Sequence, residues 1–300
     1  MSILSIPIVA DTLARVMNRL AYGNLNPRLR FEEIPGRRSE IHIPTRHGPV
    51  RAHLYLPPEG TERPGVYVNF HGGGFVFRDI EQDDPFCRYL AAHAGVVVLN
   101  VDYDVAPQHR FPVPVEEAFD AVRWAAGEGH DWDGARLCVG GQSAGGNLSA
   151  AVARLSLEAG GPPIALQVLH YAPLDLSVAK KRAPAGQVQV VPNWMARIFR
   201  TAYLPAAEMQ THRLASPLHG DNARDLEGIA PALVITAEYD NLHADGAAYA
   251  EVLRRAGALA EHIEVKGARH AYNILTGSRE QTERTYAAIA GHVRRALGAG

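Results

Sequence analysis

Gly141-Gln142-Ser143-Ala144-Gly145 is the stretch of this sequence with the clearest capacity for chemistry. Glycines two residues either side of a serine suit a sharp strand-to-helix turn. There the hydroxyl is exposed, and neighbouring backbone comes so close that a side chain at either glycine would collide. Taken alone, the pattern also reads as a glycine-rich helix start with Ser143 as its N-cap. Its surroundings favour the turn. The apolar run 137–140 precedes it, and Leu148, Ala151, Val152 and Leu155 follow on one helical face.

A serine hydroxyl is a weak nucleophile. It needs a base, and the base needs a carboxylate to orient it. Asp240 stands just past the apolar run 233–237, and His270 just past the run 262–265. Both therefore fall on loops at the same ends of strands as Ser143, in the chain order serine, acid, histidine. The expected chemistry is acyl transfer: Ser143 attacks, His270 takes and returns the proton, and Asp240 holds the imidazole. Among 14 histidines the rivals fit less well. His262 lies within a strand, His292 within the last helix, and His243 opens a helix. Asp245, the rival acid, falls a turn into that helix.

His71-Gly72-Gly73-Gly74-Phe75 follows another apolar run, 66–70. Three successive glycines leave backbone N–H groups free to meet a developing negative oxygen. A flexible turn is the alternative, as is a phosphate cradle. The cradle would want the lysine of a G-x-x-x-x-G-K-[ST] pattern, which is missing.

These residues need elements to position them. The runs 66–70, 96–101, 137–140, 165–171, 233–237 and 262–265 alternate with helical segments, which predicts an α/β fold: a mostly parallel, twisted sheet covered by helices on both faces. Before them, 39–43 and 50–56 alternate around Gly48-Pro49 as an antiparallel hairpin at a sheet edge. Leu13, Val16, Met17 and Leu20 predict a helix over 11–22, capped by Asp11. Between Asp175 and Ala230 no strand is evident, but Trp194, Met195, Ile198 and Phe199 cluster at helical spacing. A long insertion with its own apolar residues reads as a lid over the sheet edge where open α/β folds bind ligands.

Composition narrows the class. The chain has 300 residues, 47% hydrophobic, with a formal net charge of -2. It reads as one domain, 1–300, with insertions. No clustered basic face calls for nucleic acid. No apolar run approaches the roughly 18 residues of a membrane span, so stable insertion is not expected. Cys87 and Cys138 form neither a zinc motif nor a disulfide framework, which fits a reducing, cytoplasmic compartment. No metal cluster or dinucleotide fingerprint is found, so no cofactor is expected.

With these motifs in order, the sequence resembles the hormone-sensitive-lipase-like group of α/β-hydrolases, which includes bacterial carboxylesterases. The likeness spans nearly the whole chain. It rests on His71 to Phe75, Tyr103-Asp104-Val105-Ala106-Pro107, Phe111-Pro112, Gly141 to Gly146, Pro231 to Asp240, and His270. It implies a helical cap from about 1–37 and about 176–230. It also implies an oxyanion hole from the backbone of Gly73, Gly74 and Ala144, and short- to medium-chain acyl esters as substrates; homodimers are a further family-level expectation. Some positions depart from the group's pattern. Gln142 stands where the residue before the serine is often Asp. The loop usually written YRLAPE reads Tyr103-Asp104-Val105-Ala106-Pro107-Gln108, and Asn241 stands where Pro is common. The triad stays complete; the departures bear on substrate and subgroup. Amidase, lactonase or peptidase chemistry could use the same triad. A non-catalytic small-molecule receptor is the reading from another class, but plant hormone receptors resembling this fold lose the catalytic histidine, and His270 is present. Nothing in the sequence marks a protein-partner surface.

Overall fold

The computed structural model of the chain describes residues 2–20, 25–178, 181 and 186–298 (Leu20 by its backbone). Eight strands form one sheet: β1 (Arg37–Thr45), β2 (Gly48–Leu56), β3 (Gly65–Phe70), β4 (Val97–Asp102), β5 (Asp133–Gln142), β6 (Leu166–His170), β7 (Ala232–Ala237) and β8 (Leu259–Val265). Their spatial order is β1-β2-β4-β3-β5-β6-β7-β8. The β1–β2 hairpin forms one edge, and β2 joins β4 antiparallel. All pairings from β4 through β8 are parallel.

The apolar runs explain this arrangement. Every residue of β3, β4 and β7 is buried, as expected of strands with helices on both faces. Those helices are α2 (Asp84–Ala94), α3 (Val113–Ala125), α4 (Ala144–Ala159), α7 (His243–Arg255) and α8 (Arg279–Ala296). Two buried apolar clusters result. One contains Val68, Val139 and Leu148; the other contains Tyr67, Val168 and Tyr286. Gly160 ends α4 in the left-handed conformation (φ 72°), as a C-terminal glycine should.

Three helices lie outside this frame: α1 (Pro7–Leu20), α5 (Asn193–Tyr203) and the short α6 (Ala207–Gln210). α1 packs on α5. Arg110 ties them together, bonding Asp11 at 2.6 Å and the Ala202 carbonyl at 3.1 Å. The N-terminal helix thus begins four residues before the expected position, and residues 21–24 lie outside the described ones. Asp11 is an internal ion-pair partner rather than a cap. Sequence periodicity could not reveal this, because Arg110 lies far along the chain. Strands β5 and β8 are also longer than their apolar runs, since their first residues are polar or half-exposed. Among the described residues, no helix is long and apolar enough to cross a membrane.

Candidate active site

Ser143 occupies the single residue between β5 and α4, with φ 53° and ψ -119°. A side chain in that region carries strain, which persists only where packing over-determines it. The close approach of glycine backbone supplies the constraint. A Cβ at Gly145 would lie 1.8 Å from the Phe70 carbonyl oxygen, and one at Gly141 would lie 2.4 Å from it. The turn that aims the serine is therefore wedged against the end of β3. The Ser143 N–H donates to the His170 carbonyl at 2.9 Å, fixing the turn to β6 as well.

His270 Nε2 lies 3.0 Å from Ser143 Oγ, and His270 Nδ1 lies 2.6 Å from Asp240 Oδ2. The other Asp240 oxygen accepts the Leu242 N–H at 3.0 Å. Both residues are nearly sealed from solvent, with Asp240 2% and His270 4% exposed. The structure thus brings together the three side chains that sequence reasoning selected.

The rivals are engaged elsewhere. Asp245 takes Lys181 at 2.7 Å and the N–H groups of Leu174 and Asp175. His243 meets Glu264, His262 meets Thr236, and His292 meets Glu261. His170, beside the elbow, donates to or accepts from the Tyr272 hydroxyl at 2.9 Å. Burial, and then the neighbouring His270, hold its imidazole down at about 3. It stays uncharged at working pH.

The glycine loop after β3 is held from below. His71 is fully buried, stacked on Tyr103 with centroids 4.4 Å apart, and its Nδ1 lies 2.6 Å from the Gly72 carbonyl. The Tyr103 hydroxyl donates to the His71 carbonyl at 2.9 Å. Arg78 then clamps the loop to the Tyr103-Asp104 segment through Asp102 and Asp104. Gly73 and Gly74 have φ 126° and 61°. Their N–H groups make no hydrogen bond among the described residues. Ala144 opens α4, where first-turn N–H groups have no partner within the helix.

Ser143, His270, Gly73 and Gly74 open onto a mainly apolar cavity of about 1050 Å³. Met17 of α1 and Trp194, Met195 and Phe199 of α5 line it from the other side. Phe77 meets Phe199 edge-on at 5.1 Å, and Phe75 stacks on Tyr203 at 4.1 Å. These contacts set α5 directly over the glycine loop. Among the described residues, no cluster of three or more His, Cys, Asp or Glu side chains could hold a metal ion.

Sequence reasoning did not single out Asp83, Tyr171 and Asn273, which join Gln142 directly behind the serine. They come from three different loops. The only signal was the departure at Gln142.

Comparison with known proteins shows the family. A family model described as alpha/beta hydrolase fold matches residues 67–274. The carboxylesterase NlhH of Mycobacterium tuberculosis is 33% identical over 287 residues, covering 92% of this chain and 87% of that protein. The ethyl acetate hydrolase of Pseudomonas putida is 35% identical, covering 77% of this chain and 74% of its own. A thermostable carboxylesterase, EstE1, cloned from a metagenomic library, superposes with a TM-score of 0.80 at 30% identity, covering 99% of both chains. Sequence and architecture agree over almost the whole length: this chain belongs to the α/β-hydrolase fold family.

Proposed function

We propose that this protein is a carboxylic-ester hydrolase acting on short- to medium-chain acyl esters through an acyl-enzyme on Ser143. The observation that carries the reading is the unbroken hydrogen-bonded line from Asp240 through His270 to Ser143, opening on an apolar cavity. The Ser143 oxygen attacks the ester carbonyl carbon while His270 Nε2 takes its proton. Asp240 keeps the imidazole in the tautomer that leaves Nε2 free to accept, and stabilises the imidazolium that forms. The N–H groups of Gly73, Gly74 and Ala144 meet the oxyanion. The C–O bond then breaks and His270 protonates the departing alcohol. Water, deprotonated by His270, repeats the sequence on the acyl-enzyme and releases the acid.

Residues 1–37 and 176–230 act as the cap in this reading, supported by α1 and α5 packing together across the cavity. Cavity size and apolar lining favour acyl chains over charged groups at the reacting end. A cytoplasmic setting is part of the proposal, supported by Cys87 and Cys138, both buried and unpaired. Homodimer formation, proposed on the two edge strands β1 and β8, is testable by sedimentation. The decisive variant is Ser143→Ala, which should lower kcat by on the order of 10⁴-fold or more with the fold unchanged. Retained turnover would sink the assignment.

A further inference from the structure

Gln142, the residue before the nucleophile, turns its side chain away from the cavity into a buried polar network. Its Nε2 donates to Asp83 Oδ1, and its Oε1 accepts from Asn273 Nδ2 at 2.8 Å and lies 2.6 Å from the Tyr171 hydroxyl, whose single proton is shared with Asn273 Oδ1 at 2.5 Å. One carboxamide thus joins three loops: the start of α2 (Asp83), the segment after β6 (Tyr171), and the Tyr272–Thr276 helical turn just past His270 (Asn273). Tyr171 in turn stands edge-on against the His270 ring, with centroids 4.8 Å apart. Asp83 is 1% exposed, and no cation offsets its burial among the described residues. Its second oxygen accepts Asn69 Nδ2 at 2.7 Å.

We propose that Asp83 and Gln142 are a positioning pair: one carboxylate and one carboxamide that together hold the nucleophile elbow and, through Tyr171, the ring of His270. The inference rests on the roles assigned above to Ser143 and His270. Its logic is the count of donors and acceptors. Asn69 and Gln142 both donate to Asp83, so the group at 83 must accept twice. Asn273 donates to position 142 and the Tyr171 hydroxyl faces the same atom, so that atom must accept while the other donates to Asp83. A carboxylate facing a carboxamide meets every demand. Two amides do not, because one N–H would face another. Two carboxylates do not either unless they trap a proton between them; both ionised, they would face each other with lone pairs in a dry site.

The exchange of the two groups does meet every demand. With Asp83→Asn and Gln142→Glu together, the new amide accepts from Asn69 and donates to the new carboxylate. The carboxylate then still accepts from Asn273 and faces the Tyr171 hydroxyl. A carboxylate on either side of this contact is therefore equivalent in bonding.

The experiment compares wild type, Asp83→Asn, Gln142→Glu and the double exchange. Burial pushes the Asp83 carboxyl up to about 7, against the pull of its Asn69 and Gln142 bonds. The assays are therefore run at about pH 8.5, where it is ionised. Three quantities are read: kcat and KM for p-nitrophenyl butyrate, the rate of Ser143 labelling by a fluorophosphonate, and the melting temperature. Each single variant should lose on the order of 10-fold in kcat and in labelling rate, with KM within about twofold, because the reacting groups are misplaced while the cavity is intact. The double exchange should return both rates to within about threefold of wild type, the non-additivity of residues in one network. If a single variant fails to fold, the exchange must restore the melt and the labelling together. Singles that label like wild type would overturn the proposal, as would a double variant no better than the worse single. So would rate losses that merely follow melting and disappear at a temperature where all four are folded. If wild type hydrolyses no ester but the labelling rates rank as expected, the ester reading falls and the pair stands. If wild type does not label at all, both fall.

Discussion

Ser143 sits in a strained conformation because three backbones leave it nowhere else to go: the end of β3 behind its glycines, the His170 carbonyl on its N–H, and α4 beginning at the next residue. The imidazole beside it is held as firmly, since Asp240 spends one oxygen on His270 and the other on the Leu242 N–H. Asp240→Asn keeps the shape but favours the wrong imidazole tautomer. It should lower kcat by about 10³- to 10⁴-fold with little change in KM, measured by steady-state kinetics on a p-nitrophenyl ester. A loss under tenfold would remove Asp240 from the triad. These three residues were legible in the sequence because each combines the right chemistry with a place just past an apolar strand. Asp83, Tyr171 and Asn273 were not legible. Their residue types are common, and only the folded loops bring them to Gln142.

The strand-to-helix elbow is set by close packing between elements. Gly145→Ala would push a Cβ to 1.8 Å from the Phe70 carbonyl oxygen. No rotamer relieves a backbone clash, so β3 and α4 must move apart, at a cost of about 3 kcal/mol or more. Thermal denaturation should show a marked fall in melting temperature; a variant as stable as wild type would mean the elbow has slack. Element identity was readable wherever burial on both faces produced an unbroken apolar run, as in β3, β4 and β7. Element ends were less readable. The first residues of β5, Asp133 to Arg136, are half-exposed or exposed although they continue the strand, and α1 starts at Pro7, ahead of the apolar positions that signalled it. In both cases hydrogen bonding extends the element beyond the residues whose burial leaves a pattern.

At the scale of the molecule, the sheet's C-terminal edge gathers loops, and buried carboxyls are the electrostatic cost of fixing them. Glu117, 1% exposed, accepts the Asp104 N–H at 2.8 Å and so holds the loop after β4. Burial raises its carboxyl from 4.5 to about 7. The fold therefore retains this proton where the unfolded chain has lost it. The resulting contribution favours folding fully below about 4.5 and is lost as pH rises through about 7. Glu117→Gln keeps an acceptor for Asp104 and removes the titration. Its melting temperature relative to wild type should climb between those two pH values and level off above; parallel melting curves would contradict the assignment. The overall architecture was the most legible level, since alternating strands and helices leave few topologies. For the roof over the cavity, the sequence offered two apolar helical segments, one at the N-terminus and one around Trp194, but not the α1–α5 contact between them, because the two lie far apart in the chain.

The central claim is that Ser143, His270 and Asp240 hydrolyse esters of modest acyl length beneath this roof. Following p-nitrophenol release across a p-nitrophenyl series from acetate to palmitate, with wild type beside Ser143→Ala, tests it most directly. Turnover that peaks at short or medium chains and vanishes in the variant is the predicted result. Folded wild-type protein that turns over no ester in the series, or a variant that matches wild type, would contradict it.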